Sequence, residues 1–345
     1  MSPRRLVVDL AATSRNWALP EWGERLLRQA APAGWEVVVA TSPTSSDGDG
    51  SAGPSPEVLE AIGGAEAYFG FGISRPLFIE ARRLRWVHSA AAGVGSALFP
   101  EMRRSDVVLT NSAGVHAVPI AEYVLAGVLH FTRGFDIAIP QQRAGVWDKS
   151  PFTALDAPLV ELGDCRVLIV GAGGIGRETA CRMAPFGASV IGVRRRPALG
   201  APEGFARVVG PDALDDELAR ADIVVLAAPA TPDTEQLLTR GRLALLPRGA
   251  IVVNVARGSL LDEAALAEAL RAGRLRGAVL DVFQREPLAA ESPLWQLPNV
   301  LLTPHVAPVS PAGFWRRELA LFVGNWEAYV LGEPLRNLVD KQAGY

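Results

Sequence analysis

Residues 167 to 176 read V-L-I-V-G-A-G-G-I-G. Four apolar residues typical of a buried strand lead directly into a glycine-rich turn, and a helical pattern follows as far as residue 186. In this order, the first glycine permits a tight turn, the second lets a pyrophosphate approach the backbone, and the third lets helix and strand pack closely. The phosphates would lie at the helix N-terminus, where free N–H groups favour an anion. The stretch therefore predicts a dinucleotide site formed by Gly171, Gly173, Gly174, Ile175 and Gly176.

The rest of the chain repeats the alternation of short apolar runs and helical patterns, which is typical of parallel sheets with crossover helices. A first series of predicted strands covers 6–9, 36–40, 67–70, 86–89 and 107–110. A second series covers 166–170, 189–193, 223–227, 251–254, 278–280 and 300–303. Helices are predicted at 116–133, 262–272 and 314–331. We predict two α/β domains, of which the first is interrupted by the second and completed by the C-terminal residues.

Composition narrows the function classes. The chain has 345 residues and a net charge of −3, which provides no basic field for nucleic acid. No apolar run is long enough to span a membrane, and Asp9 interrupts the N-terminal apolar stretch, so we expect a cytoplasmic protein without a secretory signal. The two cysteines, Cys165 and Cys181, are expected to be free thiols rather than metal ligands. Residues 41–57 are rich in Gly, Pro and Ser, and we expect a surface loop there.

Three arginines, Arg194 to Arg196, follow the strand predicted at 189–193. A carboxylate normally stands at this place and accepts hydrogen bonds from the ribose hydroxyls of NAD. Guanidinium groups would instead bind a 2′-phosphate through charge-assisted hydrogen bonds. The cluster predicts a preference for NADP(H) over NAD(H), and the alternative is a turn whose arginines are simply solvated.

Three later stretches carry a family resemblance. They are N254-V-A-R-G-S-L-L-D-E263, D281-V-F-Q-R-E-P-L288 and T303-P-H-V-A307. Together with the glycine turn and the stretches at 85–95, 114–123 and 228–234, they resemble the D-isomer-specific 2-hydroxyacid dehydrogenases. The resemblance implies a flavodoxin-like substrate domain (1–112 and 306–345) and an inserted Rossmann dinucleotide-binding domain (113–305).

The same resemblance implies a catalytic set of Arg257, Glu286 and His305. Reduction of a 2-oxo acid delivers hydride to C2 while the carbonyl oxygen takes a proton, and a histidine is a suitable donor near neutral pH. A neighbouring carboxylate stabilises the imidazolium and selects its tautomer. An arginine polarises the carbonyl and binds the substrate carboxylate.

Other implied contacts involve the cofactor, the substrate and a second subunit. Cofactor contacts are implied for Ala228, Pro229, Thr234, Val255, Ala256 and Asp281, the last as an acid that orients the nicotinamide carboxamide and the arginine. Main-chain N–H groups of Ala92 and Gly93 are implied to bind the substrate carboxylate, with Phe71 and Gly72 lining the same site. Members of the family are usually homodimers, and the natural contact elements are the helix from about 116 and the segment 141–148 with Trp147.

Some positions depart from the family pattern and leave the substrate open. Gly95 replaces a usual aspartate, and V-A-P-V-S-P follows His305 where a small residue and glycine are common. The leading hypothesis is a reductase of small 2-oxo acids of the glyoxylate or hydroxypyruvate type. A dehydrogenase of another small acid, such as phosphite, is a second hypothesis, whereas Glu286 argues against formate because formate enzymes of the family carry glutamine there. A nucleotide-sensing binding protein like the family's corepressors is a third.

Overall fold

The computed structural model describes residues 3–42 and 54–344. The surface loop expected at 41–57 therefore lies mostly outside the described residues. The chain divides into two compact units, of which unit 1 comprises residues 1–115 with 310–345 and unit 2 comprises residues 116–309.

Unit 1 begins with a parallel sheet and its crossover helices. In chain order the elements are β1 (Arg4–Asp9), α1 (Glu21–Ala30), β2 (Trp35–Val39), α2 (Pro56–Ile62), β3 (Ala67–Gly70), α3 (Arg75–Glu80), β4 (Trp86–Ser89), α4 (Pro100–Arg104) and β5 (Val108–Asn111). The strand order is β2-β1-β3-β4-β5, and all the pairings are parallel. This is the flavodoxin-like order, in which ligands bind beyond the carboxyl ends of the strands.

Unit 2 opens with three helices and continues as a larger parallel sheet. The elements are α5 (Ala117–Thr132), α6 (Phe135–Ala144), α7 (Ser150–Thr153), β6 (Arg166–Val170), α8 (Gly174–Met183), β7 (Ser189–Val193), β8 (Arg207–Val209), α9 (Leu214–Leu218), β9 (Ile223–Leu226), α10 (Arg240–Leu245), β10 (Ile251–Asn254), α11 (Glu263–Arg271), β11 (Gly277–Leu280) and β12 (Val300–Leu302). The strand order is β12-β11-β10-β9-β6-β7-β8. The order reverses between β6 and β9, as in a Rossmann sheet.

The sheet of unit 2 is covered on both faces. Along β6, Val167 and Ile169 belong to one apolar cluster, whereas Leu168 and Val170 belong to the other. Successive side chains of a strand point to opposite faces, so a run that is apolar throughout indicates a strand buried on both sides. This is why V-L-I-V reads as continuous apolar sequence rather than as an alternating one.

The structure corrects the predicted elements of unit 2 in two places. Among the described residues of unit 2 there are seven strands rather than the six predicted, because β8 is a three-residue edge strand that is too short to stand out in the sequence. The helix predicted to reach residue 186 ends at Met183, and Ala184–Phe186 form a 3₁₀ turn. Pro185 lies in that turn, and its missing N–H group cannot continue an α-helix.

The C-terminal helix α12 (Pro311–Leu331) belongs to unit 1. It begins three residues earlier than the predicted start at 314, with Pro311 at its first position. Phe314 and Trp315 are 1% and 3% exposed and pack in the core of unit 1. Across residues 3–42 and 54–344, the structure contains no helix of the length and apolar character needed to cross a bilayer.

Candidate active site

The candidate site of unit 2 lies at the carboxyl ends of its strands. Backbone hydrogen bonds tie the residues that leave neighbouring strands to one another: Gly171 N to Val193 O (2.9 Å), Ala227 N to Val170 O (2.9 Å), Val255 N to Leu226 O (3.3 Å), Asp281 N to Asn254 O (3.1 Å) and Thr303 N to Leu280 O (3.0 Å). The glycine turn, the arginine cluster and the three motifs of the catalytic set therefore follow adjacent strands along one edge of the sheet.

The glycine turn has the backbone geometry that a pyrophosphate requires. Gly171 has a φ of +109°, and a Cβ there would lie 2.6 Å from backbone atoms of Ala227 and Ala228. A Cβ on Gly176 would lie 2.0 Å from the carbonyl oxygen of Gly171, whereas one on Gly173 would meet nothing within 4 Å. Helix α8 begins at Gly174 without a side-chain cap. The helix N-terminus thus keeps N–H donors and open space for an anion, and these residues fit a dinucleotide.

The arginine cluster lies directly beside this turn. Arg194 leaves β7 next to Gly171, and its N–H donates to Val209 O at 3.0 Å, which fixes its backbone against β8. Within residues 3–42 and 54–344 its guanidinium donates a 3.3 Å hydrogen bond to Gly200 O, and Arg195 forms a 3.7 Å ion pair with Asp233. The Arg195 and Asp233 side chains are both largely exposed, so the ion pair is weak and replaceable. Arg194 therefore brings a guanidinium to the end of β7 next to the glycine turn, a position suited to binding a phosphate.

Residues 228–234 form a compact loop after β9. The Thr234 hydroxyl donates to Pro229 O at 2.6 Å and accepts from Thr231 N at 2.8 Å. Ala228 is buried. Thr234 thus closes the loop through its own side chain, and the loop presents Pro229 to the solvent.

The V-A-R-G turn after β10 is stabilised by hydrogen bonds of the buried Asn254 side chain. Asn254 is fully buried, and its amide accepts from Ala256 N at 3.1 Å and donates to Arg257 O at 3.0 Å. Arg257 is exposed, whereas Val255 and Ala256 are each 6% exposed. A Cβ on Gly258 would lie 1.8 Å from the Phe283 carbonyl carbon, so only glycine lets this turn touch the loop after β11.

The loop after β11 carries Glu286, whose carboxylate is held on both oxygens. Oε1 accepts from Phe283 N at 3.0 Å, and Oε2 lies 2.9 Å from His305 Nδ1. Burial raises the pKa of this carboxyl, but the His305 and Phe283 hydrogen bonds and the nearby Arg257 charge lower it, and the pKa ends below its usual value. Glu286 is therefore ionised at neutral pH. Glu263, at the start of α11, supports the same loop by accepting from Gln284 N.

His305 meets Glu286 through one ring nitrogen only. Because an ionised carboxylate only accepts, Nδ1 carries the proton of that 2.9 Å hydrogen bond. In the described part of the chain no group bonds Nε2, and 41% of the side chain is exposed. This arrangement can hold a proton on Nε2 and transfer it to a ligand.

The turn that carries His305 is built on Asp281. His305 has a φ of +54°, in the left-handed region, which costs a residue with a side chain about 1–2 kcal/mol. His305 N donates to Asp281 O at 2.9 Å, and the Asp281 carboxylate accepts from Val306 N at 2.8 Å and Ala307 N at 2.9 Å. Asp281, which is 1% exposed, thus supports the unusual backbone through its own main chain and side chain.

The predicted substrate residues lie in unit 1 and are described there. Ala92 and Gly93 are exposed after β4, and in residues 3–42 and 54–344 neither N–H group has an acceptor. Asn111 holds this loop by donating from its side chain to Ala92 O at 2.8 Å. Phe71 is buried, with an edge-to-face contact to Trp315 at 6.4 Å between ring centroids. Gly72 follows it with a φ of +140°.

Four residues that support the site carried no prediction of such a role: Tyr123, Asn254, Glu263 and Thr303. Asn254 and Thr303 lie within the quoted motifs, next to strand ends, where short polar side chains commonly hydrogen-bond nearby backbone. Glu263 is the acidic residue in the first turn of α11, a position that by itself indicates helix stabilisation rather than support of another loop. Tyr123 ends the stretch at 114–123 that carries part of the family resemblance, but it is more than 100 residues from Asp281 and Thr303 in sequence, and no local pattern indicates a contact with them.

Comparisons with known proteins show which family and fold the chain is similar to. A model of the NAD binding domain of D-isomer specific 2-hydroxyacid dehydrogenases matches residues 125–307. A D-3-phosphoglycerate dehydrogenase of Methanocaldococcus jannaschii is 33% identical over 276 residues, which is 78% of this chain and 49% of that protein. The chain therefore spans about half the length of the first curated relatives that it matches.

Two further proteins match over most of their length. Glyoxylate/hydroxypyruvate reductase A of Klebsiella pneumoniae is 33% identical over 275 residues, covering 77% of this chain and 84% of the relative. A crystal structure of a D-isomer specific 2-hydroxyacid dehydrogenase from Xanthobacter autotrophicus, in complex with NADPH and MES, is 32% identical with a TM-score of 0.78 and covers 100% of both chains. By its matched domain, its relatives and its fold, this chain belongs to the D-isomer specific 2-hydroxyacid dehydrogenase family.

Proposed function

We propose that the protein is an NADPH-preferring reductase that converts a small 2-oxo acid, of the glyoxylate or hydroxypyruvate type, to its D-2-hydroxy acid. The observation that carries this proposal is the His305–Glu286 pair at 2.9 Å, with 41% of the His305 side chain exposed and the Arg257 charge close enough to lower the pKa of Glu286. The match to a glyoxylate/hydroxypyruvate reductase supports the choice of substrate class.

In the proposed reaction, His305, Glu286 and Arg257 have different roles. When bound, the nicotinamide cofactor supplies the hydride that C2 of the acid receives. His305 donates its Nε2 proton to the carbonyl oxygen, so that one hydride and one proton convert the carbonyl to a hydroxyl. Ionised Glu286 stabilises the imidazolium before the transfer, and Arg257 stabilises the charge that develops on the carbonyl oxygen.

The substrate carboxylate is assigned to Ala92 and Gly93 in unit 1. Their N–H groups lack acceptors within the described residues, and Gly93, which has no side chain, lets an anion approach the backbone closely. In the oxidative direction His305 acts as the base and takes the proton back.

The preference for NADPH rests on Arg194 to Arg196. Arg194 leaves β7 beside the glycine turn, where the adenosine ribose is bound in a Rossmann sheet, and no carboxylate occupies that place. The NADPH in the related Xanthobacter structure supports the same choice. Asp281 is retained as an acid beside the nicotinamide, although its carboxylate oxygens are already engaged by the turn after His305.

A matrix of 2-oxo acids against NADPH and NADH tests the proposal. We expect turnover of glyoxylate or hydroxypyruvate with a higher kcat/KM for NADPH. Replacing Arg194 and Arg195 together by alanine should lower kcat/KM for NADPH by roughly 10- to 100-fold per lost phosphate contact and leave that for NADH nearly unchanged. Arg220→Ala, which removes another exposed arginine of unit 2, is the matched control. An unchanged cofactor ratio in the double variant would reject the arginine assignment.

A homodimer is part of the same proposal. Helix α6 buries none of its residues, and it is followed by further exposed apolar side chains; those most exposed in this region are Phe135, Val146, Trp147 and Leu155. Apolar exposure of this density marks an interaction surface, and a second copy of the chain is the partner that the family suggests. Light scattering should give twice the 36.6 kDa of one chain, and Trp147→Asp should lower that mass. A monomer mass for the unaltered protein would refute the dimer.

A further inference from the structure

The strongest unassigned feature of unit 2 is a chain of hydrogen bonds that ends under His305. Thr303 Oγ1 lies 2.5 Å from Asp281 Oδ1, and Tyr123 OH lies 2.6 Å from Thr303 Oγ1. Tyr123 belongs to α5, whereas Thr303 directly follows β12. A long helix and the last strand of the sheet are thereby joined to the acid on which the His305 turn is built.

The direction of the protons in this chain follows from the acceptors. An ionised carboxylate only accepts, so the single proton of the Thr303 hydroxyl goes to Asp281. Thr303 Oγ1 then has only lone pairs left for its neighbour, and the Tyr123 hydroxyl must donate. Burial raises the pKa of Tyr123 to about 12 despite the hydrogen bond to Thr303, which keeps this phenol protonated as a donor at any working pH. Each donor in such a chain strengthens the next.

The Asp281 carboxylate also accepts two backbone hydrogen bonds, and both come from residues that follow His305. Oδ1 also accepts from Val306 N at 2.8 Å, and Oδ2 accepts from Ala307 N at 2.9 Å. His305 N itself bonds the main-chain oxygens of Asp281 and Thr303, at 2.9 and 3.0 Å. Because Asp281 is 1% exposed, water cannot easily replace a donor that is lost. The carboxylate must therefore be held in one orientation, and Thr303 is the only side-chain donor that holds it among the described residues.

We propose that Thr303 and Tyr123 are positioning residues for the proton donor: through Asp281 they fix the left-handed backbone at His305 and so keep its ring on Glu286. This inference rests on the proposed role of His305. It assigns a function to the threonine of T-P-H and to a tyrosine on a distant helix that makes no contact with His305 in the described structure.

Thr303→Val and Tyr123→Phe each remove one hydroxyl with little change of shape. A displacement of about 1 Å at a reacting group can cost about 100-fold in rate, so we expect Thr303→Val to lower kcat for 2-oxo acid reduction by about 10- to 100-fold. The Tyr123 hydroxyl is one hydrogen bond further from Asp281 than that of Thr303, so Tyr123→Phe should lower kcat by about threefold to tenfold. The KM and Kd for NADPH should stay within about twofold, because the glycine turn and the arginine cluster are untouched.

Matched variants separate positioning from general loss of structure. Thr303→Ser keeps the hydroxyl and should retain most of kcat. Thr132→Val removes the hydroxyl of another buried threonine of unit 2, one whose Oγ1 has no hydrogen-bond partner, and should leave kcat unchanged. Tyr329→Phe removes a tyrosine hydroxyl that donates to Glu66 at 3.0 Å in unit 1, and it serves the same purpose for Tyr123. Rates are referred to the folded fraction measured by urea titration.

A double-mutant cycle with His305→Gln completes the test. If Thr303 acts through His305, Thr303→Val should cost kcat little in the His305→Gln background. A full additional loss there, or equal kcat for Thr303→Val and Thr303→Ser, would overturn the inference. If His305→Gln alone leaves kcat intact, the proposed role of His305 fails, and that result is distinguishable from the first two. Should Thr303→Val not fold, Tyr123→Phe in both backgrounds carries the same test.

Discussion

The described residues include a histidine–glutamate pair in each unit, and the two pairs differ in exposure and in the hydrogen bonds of the second ring nitrogen. His305 and Glu286 lie 2.9 Å apart with 41% and 37% of their side chains exposed. His88 and Glu318 lie 3.1 Å apart in the core of unit 1, and both are 0% exposed. The second ring nitrogen of His88 is bound to Thr110 Oγ1 at 2.7 Å, whereas Nε2 of His305 meets no group of the described residues.

The difference shows what separates a working pair from a structural one. Residue types and distance are nearly the same, so neither identifies the site. A proton donor needs a nitrogen that a ligand can reach and a carboxylate that stays ionised, and the exposed pair has both. Both ring nitrogens of His88 are hydrogen-bonded and the pair is fully buried, so it is expected to matter for folding only.

The largest expected effect comes from the same substitution made in both pairs. His305→Gln should lower kcat for 2-oxo acid reduction by about 10²- to 10⁴-fold, because the proton donor is removed. His88→Gln should leave kcat per folded molecule unchanged. Steady-state oxidation of NADPH, with the folded fraction measured on each sample, checks both. Equal losses of kcat in His305→Gln and His88→Gln would contradict the assignment of different functions to the two pairs.

For the free energy of unfolding the order should be reversed, with a larger loss when the buried pair is changed than when the exposed pair is changed. Removing one partner of a buried hydrogen bond leaves the other unsatisfied at a cost of about 1–3 kcal/mol, so Glu318→Ala should lower the free energy of unfolding of unit 1 by that order. Glu286→Ala should cost about 1 kcal/mol or less, since exposed pairs contribute little. Urea titration of both variants gives the two values. A larger loss at Glu286 than at Glu318 would contradict the assignment of the structural role.

The pH dependence of stability is a smaller and sharper test of the exposed pair. Burial raises the pKa of Glu286, but the His305 and Phe283 hydrogen bonds and the Arg257 charge outweigh it, so the folded pKa lies below the usual 4.5. A lowered folded pKa contributes stability that is present above pH 4.5 and is lost as the pH falls through the folded value. The stability difference between the unaltered protein and Glu286→Gln should therefore shrink as the pH is lowered below about 4.5. A difference that grows on acidification would show that the pKa of Glu286 is raised.

The fold and part of the candidate site could be predicted from the sequence, for physical reasons that differ between elements. The comparisons confirm the family and the two parallel-sheet α/β domains. The sequence allowed this prediction because each residue of V-L-I-V-G-A-G-G-I-G has a local structural reason. The edge strand β8 was missed, since three residues carry no periodicity. The roles of Arg257, Glu286 and His305 stay predictions, although the structure places Glu286 and His305 in hydrogen-bond contact.

The supporting residues could not be predicted, because their partners are distant in sequence. Tyr123 meets Thr303 across 180 positions, and Glu318 meets His88 across 230. No local pattern encodes either contact. Only the fold shows that Glu318 is the carboxylate that His88 binds.

Binding and turnover measured on one sample test the central claim most directly. NADPH is added to the unaltered protein, its binding is followed by nicotinamide fluorescence, and hydroxypyruvate or glyoxylate is then added to the same cuvette. The account predicts a bound signal that decays on addition of the acid, with formation of the D-2-hydroxy acid, and no such decay in His305→Gln. NADPH binding that persists with every 2-oxo acid tried would contradict it and would describe a nucleotide-binding protein instead.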